Sequence, residues 1–194
     1  MDRTETLFVE RAREGDAEAF RELVESYSPK LFRLAWRITG DEQSAEDAVQ
    51  ETFLRAYRSL GRFDARSQFS TWLHRIAVNA ALDLVRKQQR QRFRQEDGLD
   101  GRTGEEEPWP SPAPGPERIT LSLEVERTVR SALAGLSAME RTAFVLRHFE
   151  GRSIAEICDQ LGLGASAGKQ AVFRAVKKLR RVLEPLVQTQ EVRL

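Results

Sequence analysis

Ser153-Ile-Ala-Glu-Ile-Cys-Asp-Gln-Leu-Gly162, then Leu163-Gly164 and Lys169-Gln-Ala-Val-Phe-Arg174, is the stretch that decides the fold. Ser153 and Glu156 stand three residues apart at the head of an apolar run. In that pattern a serine and a glutamate satisfy each other's backbone N–H groups at a helix start. Gly162 sits where such a helix stops. After the turn Gly162-Leu-Gly164 a second helix is expected to about Leu186, with Val172, Val176, Leu179, Leu183 and Leu186 as its apolar stripe. Two helices joined by a short glycine turn make a helix-turn-helix. Lys169, Gln170, Phe173, Arg174, Lys177 and Arg181 lie largely off the stripe, where a major groove and its phosphates would meet them. A basic, solvated helix face would carry the same residues. A second capping pattern directly upstream, Ser137-Ala-Met-Glu140, favours the DNA reading.

Working outward, the N-terminal part reads as helices throughout. Residues 5–26 form a pair broken at Arg13-Glu-Gly-Asp16, with Asp16 as N-cap for Ala17 to Tyr27. Pro29 is expected to interrupt that helix. Leu31, Leu34, Ala35 and Ile38 then stripe another, which Gly40 ends. Ser44-Ala-Glu-Asp47 resembles a capping box and opens a helix with Ala48, Val49, Phe53, Leu54 and Tyr57 on its core face. A loop at Gly61–Gln68 precedes a long helix from about Ser70 to about Arg92, burying Trp72, Leu73, Ile76, Ala80 and Leu84. Asn79, Asp83 and Arg86 recur on one face of it, and Phe63, Phe69 and Trp72 could stack on unpaired bases or fill the core. No alternating β-branched run or Asn-Gly hairpin occurs. The fold class is all-α, two small helical domains joined by a flexible linker.

Charge marks the boundaries. Residues 1–92 hold 16 basic and 15 acidic residues, residues 93–120 hold 3 and 7, and residues 121–194 hold 12 and 8. The middle segment also concentrates Pro108, Pro110, Pro112, Pro114 and Pro116, with Gly98, Gly101, Gly104 and Gly115 and the run Glu105-Glu-Glu107. It cannot bury enough apolar surface to offset its ordering entropy, so it reads as a disordered tether around Trp109. The expected organisation is a helical domain over 1–92, the linker over 93–120 and a basic helix-turn-helix domain over 121–194. A formal net charge of only +1 argues against a protein that coats DNA non-specifically. With one cysteine, Cys158, there is no internal disulfide, and with His74 and His148 far apart a metal site is not expected. No signal peptide or membrane-spanning run is evident, which points to the cytoplasm.

Three blocks carry a family resemblance. Arg37 to Tyr57, with Ala45-Glu-Asp-Ala-Val-Gln-Glu51, resembles the core-polymerase-binding region of bacterial sigma factors. Phe69-Ser-Thr-Trp-Leu-His-Arg-Ile-Ala-Val-Asn-Ala-Ala-Leu-Asp83 resembles the region that melts and reads the −10 element, and Leu136 to Leu179 the domain that reads the −35 element. Their order is that of the short extracytoplasmic-function group of the sigma-70 family. The resemblance implies an alternative sigma factor directing promoter recognition, melting and initiation. Asp47, Gln50 and Glu51 would contact the clamp helices of the polymerase β′ subunit, with the β subunit a further partner. The Gly61–Gln68 loop, with Arg62, Phe63 and Asp64, would hold a base flipped from the −10 strand. Asn79, Asp83 and Arg86 belong to the adjoining promoter-facing helix. Lys169, Gln170, Phe173, Arg174 and Lys177 match the −35 recognition helix. An inhibitory anti-sigma factor is implied as a partner; no cofactor, small-molecule substrate or membrane insertion is. One departure concerns the recognition helix, whose usual Gly-Thr-Val-(Lys/Arg)-Ser-Arg start is here Ser166-Ala-Gly-Lys-Gln-Ala171. Gly168 is expected to weaken that start by up to about 1 kcal/mol relative to alanine.

Two other classes compete. An autonomous helix-turn-helix regulator would bind a duplex without polymerase, usually at a two-fold site. An enzyme acting on nucleic acid would need a nucleophile beside a base, or carboxylates grouped for a metal. Glu46, Asp47 and Glu51 are grouped, but no histidine lies near them in sequence and docking explains their helical spacing.

Overall fold

The structure, a computed structural model, describes residues 3–63, 68–96 and 131–191. It divides into two compact units, residues 1–93 and 94–194. All regular structure among the described residues is helical.

The N-terminal unit begins with α1 (Arg3–Arg13), which turns through Gly15 into α2 (Ala17–Thr39). Asp16 caps α2 as expected, accepting from the N–H groups of Glu18 at 2.9 Å and Ala19 at 3.1 Å, and it takes Arg11 at 2.6 Å. These hydrogen bonds, the Ala19 N–H first and then Arg11, hold its carboxyl below the usual value. The Tyr27 hydroxyl donates to Glu5 and ties α1 to α2; burial first, and then Glu5, push the phenol well above its ordinary value.

Pro29 does not interrupt α2, which runs unbroken from Ala17 to Thr39. A mid-helix proline costs about 3 kcal/mol. Here the carbonyl it leaves without a donor belongs to Glu25, which is exposed, and the buried residues Leu23, Leu31, Leu34, Ala35 and Ile38 anchor the helix on both sides. Gly40 ends it in the left-handed conformation, φ 89°, with its N–H on the Trp36 carbonyl at 2.8 Å.

Next comes α3 (Glu42–Ser59), and its N-cap is Asp41 rather than Ser44. The Asp41 carboxylate takes the Ser44 N–H at 2.7 Å. Ser44 lies one turn in, buried, its hydroxyl accepting from Gln88 at 2.5 Å. The expected core face also shifts. Ala45, Ala48, Thr52, Phe53 and Ala56 are buried, whereas Leu54 is 45 % and Tyr57 55 % exposed. Small residues let α3 lie close on α2 and rotate the larger apolar groups outward.

A 3-10 turn (Leu60–Arg62) leads to α4 (Phe69–Glu96), four residues past its expected end. Its buried line is Phe69, Leu73, Ala77, Val78, Ala80, Ala81, Leu82 and Val85; the expected Trp72, Ile76 and Leu84 are half-buried. The expected tether over 93–120 lies outside the described residues apart from positions 93–96, which continue α4.

In the C-terminal unit a helical turn over 131–134 precedes α5 (Ala138–His148), α6 (Ile154–Leu161) and α7 (Ala165–Glu191). Both expected capping boxes are present, Ser137 with Glu140 and Ser153 with Glu156. Gly162 closes α6 at φ 64°, a conformation that costs other residues a steric clash. The core joins Ala132, Leu136, Ala175 and Leu179, with Leu133, Phe144 and Leu183 packed against them. The bulkier expected stripe residues Val172, Val176 and Leu183 sit at its margins, and Ala171 and Ala175 take the contact line.

Gly168 has a different role from the one its helix propensity suggests. It is buried against α6, and a Cβ there would lie 2.2 Å from the Cys158 sulfur. Gly168→Ala is therefore expected to destabilise the C-terminal unit by about 1–3 kcal/mol. Adding Cys158→Ala removes the sulfur and leaves only the residue 158 Cβ, 3.8 Å away, so the double variant should regain most of the loss. Urea denaturation followed by helicity reads both. A single Gly168→Ala variant as stable as the parent would refute the close approach.

Candidate functional site

Three surfaces gather the residues singled out from the sequence. On the first, Asp47, Gln50 and Glu51 line a groove of about 360 Å³ between α3 and α4, together with Leu54, Arg55, Asp83 and Lys87. Asp47 and Gln50 are exposed and Glu51 is half-buried. Arg55 spans the groove, 2.6 Å from Glu51 and 3.1 Å from Asp83, so the α3 and α4 carboxylates share one guanidinium. Asp83, grouped by sequence spacing with Asn79 and Arg86, thus stands beside the α3 carboxylates. On the other flank of α3 an apolar trough of about 670 Å³ runs between α2 and α3, with Phe20, Val24, Phe32, Phe53, Leu54 and Tyr57 in its walls. Gln50 and Leu54 form the ridge between the two.

The second surface lies at the start of α4. Phe63 is buried, with ring centroids 5.8 Å from Phe69 and 5.1 Å from Trp72, and Phe69 also meets Tyr27 at 5.6 Å. These rings pack together where the 3-10 turn meets the start of α4. Arg62 and Arg86 are exposed, Asn79 is half-buried, and Asp64 lies outside the described residues.

On α7, the third, Lys169, Gln170, Phe173, Arg174 and Lys177 are all exposed, Phe173 by 67 %. Behind them sits a carboxylate that sequence reading found as a cap but not as a charge partner. Glu140 is buried, takes Lys178 at 2.7 Å and stands 3.8 Å from Arg174. Burial alone would raise its pKa, but the Lys178 ammonium and the Ser137 N–H outweigh burial and hold it below the usual 4.5. Arg55 was likewise missed, although its place four residues after Glu51 is the spacing of a helical ion pair. Among the described residues no group of His, Cys, Asp and Glu could hold a metal ion, and no helix is long and apolar enough to cross a membrane.

Comparison with known proteins decides the family. The model for sigma-70 region 2 matches residues 23–91 and that for sigma-70 region 4 matches residues 126–179. The RNA polymerase sigma-H factor of Pseudomonas aeruginosa is 37 % identical over 180 residues, 92 % of this chain and 93 % of its own. The ECF RNA polymerase sigma factor SigW of Bacillus subtilis is 32 % identical over 182 residues, 92 % and 96 % of the two chains. This chain belongs to the extracytoplasmic-function group of the sigma-70 family.

It is thus an alternative RNA polymerase sigma factor, and the autonomous-regulator reading gives way. Members of this family are sigma factors, not enzymes. Among solved structures, CnrH in complex with the cytosolic domain of CnrY covers 94 % of this sigma factor and 98 % of its own chain, with 27 % identity and a TM-score of 0.59. RpoE of Bartonella quintana, solved with the anti-sigma factor NepR, has a TM-score of 0.62 at 24 % identity and agrees in fold.

The Glu140 environment makes a pH prediction. Its folded pKa is depressed, so its contribution to stability is full above about the ordinary 4.5 and is lost as pH falls through the lower folded value. Between pH 7 and pH 3.5 the parent should therefore lose more stability than Glu140→Gln, measured by urea midpoints at each pH. Parallel acid profiles would contradict the ion-pair role of this carboxylate.

Proposed function

We propose that the α3–α4 groove docks core RNA polymerase while α4 and α7 read the two promoter elements. The observation that carries this reading is the convergence of Asp47, Gln50, Glu51 and Asp83 on one exposed groove beside an apolar trough. A helical partner with basic and apolar side chains, the role the resemblance gives to the β′ clamp helices, would fit both. Arg55 keeps Glu51 and Asp83 oriented and lowers their mutual repulsion until the partner's cations arrive.

The ring cluster of buried Phe63 and Phe69 with half-buried Trp72 supports the Gly61–Gln68 segment as the holder of a flipped −10 base, with Arg62, Asn79 and Arg86 as its polar contacts. Lys169, Gln170, Phe173, Arg174 and Lys177 form the −35 reading face on α7. The protein does no bond chemistry itself; it supplies sequence reading and traps unpaired bases. It acts in the cytoplasm, where polymerase and chromosome are. The complex of CnrH with the cytosolic domain of CnrY supports an anti-sigma partner for this chain as well.

Charge reversal at Asp47 and Glu51 should weaken binding to bacterial core polymerase by about 100-fold or more with helicity unchanged. Titration of the labelled protein with core enzyme measures it, and an unchanged affinity removes the docking role from α3. Replacing Lys169 and Arg174 by alanine should cut transcription from promoters with an intact −35 element by about 10- to 100-fold. Equal loss on templates with a scrambled −35 element would move the reading face elsewhere.

A further inference from the structure

We infer that Glu140 is a positioning residue for promoter reading: from the start of α5 it holds Arg174 of α7 in the orientation that contacts DNA. This inference rests on the proposed −35 role of α7.

Arg174 and Lys178 are one helical turn apart, two like charges that would push each other's side chains away. Glu140 lies between them, its side chain only 8 % exposed. Its Oε2 accepts from Lys178 at 2.7 Å and from the Ser137 N–H at 3.0 Å. Oε1 faces the Nε of Arg174 at 3.8 Å, an ion-pair distance that is not a hydrogen bond. The carboxylate itself is fixed, because the capping box fastens it to the first turn of α5.

This geometry has two effects. A free arginine carries about 2 kcal/mol of rotamer entropy that docking must remove. A carboxylate on the Nε edge removes part of that freedom before DNA arrives and leaves the two Nη groups for a base or phosphate. Glu140 also offsets the Arg174–Lys178 repulsion, so the cations of α7 can lie close together on one face.

The test uses the full chain in holoenzyme with bacterial core polymerase. A promoter is first selected by the parent holoenzyme from a randomised duplex pool. The readout is the ratio of run-off transcript from that promoter to transcript from the same promoter with its upstream element scrambled. Glu140→Gln, which keeps an acceptor for the Ser137 N–H, is expected to lower this ratio by about tenfold without lowering transcription from the scrambled template. In an Arg174→Ala background the same change should alter the ratio by less than about twofold. Ser137→Ala removes the cap but leaves the charge, and Lys178→Met leaves Glu140 to Arg174 alone; both should keep the parent ratio.

If Arg174→Ala collapses the ratio while Glu140→Gln leaves it intact, the positioning role is wrong and the α7 reading stands. If Arg174→Ala leaves the ratio unchanged, both fall. Equal loss on the two templates, or a Ser137→Ala or Lys178→Met variant that falls as far as Glu140→Gln, would assign Glu140 a structural role only and overturn the inference.

Discussion

Small side chains at the helix crossings set how near the backbones come, and the surface groups take their positions from that spacing. In α3 the buried residues include Ala45, Ala48 and Ala56; in α4 they include Ala77, Ala80 and Ala81; in α7 they include Gly168, Ala171 and Ala175. Interaxial distance depends on the residues at the contact, so alanine seams favour close approach of the helix axes. Across the helix pairs Arg55 on α3 reaches Asp83 on α4, Gln88 reaches Ser44, and Lys178 on α7 reaches Glu140 on α5. The Arg55 ion pairs follow from the packing and add little to it, since half-exposed pairs contribute at most about 1 kcal/mol each.

The same spacing explains which parts of the molecule were legible in the sequence. Local backbone chemistry was: both capping boxes, the Asp16 cap and the glycine stops at Gly40 and Gly162 are where the residues place them. Burial was read correctly at Leu31, Leu34, Ile38, Phe53, Leu73 and Leu179 but misjudged at other large residues. Leu54 and Tyr57 read as core and are exposed, because the seam beneath them is built of alanine. Pro29 read as a break, because the cost of a proline is local while the anchoring by Leu31, Leu34 and Ile38 is tertiary. Gly168 read as a weak point in a helix, and only three-dimensional contact shows that Cys158 requires it.

For the functional surfaces, periodicity and resemblance located the exposed groups but not their partners. Asp47, Gln50 and Glu51 sit on one accessible groove, and the α7 set is exposed throughout. Arg55, and Glu140 as a charge partner, went unnoticed because each works across a helix pair, Arg55 over 28 residues of sequence and Glu140 over 38. Phe63 shows the reverse case. It lies in the segment proposed to hold a base, yet its ring is spent on Phe69 and Trp72, so an aromatic there supports the site from below.

The division of α7 into two faces bears on how such a protein can change over evolutionary time. Gly168, Ala171, Ala175 and Leu179 face inward and fix the stability of the unit, while Gln170, Phe173 and Lys177 face outward and touch nothing in its core. Substitutions on the outer face therefore carry almost no folding penalty. Under the proposed −35 role of α7, duplicated copies of such a gene can drift toward new promoter sets while the scaffold stays under unchanged selection.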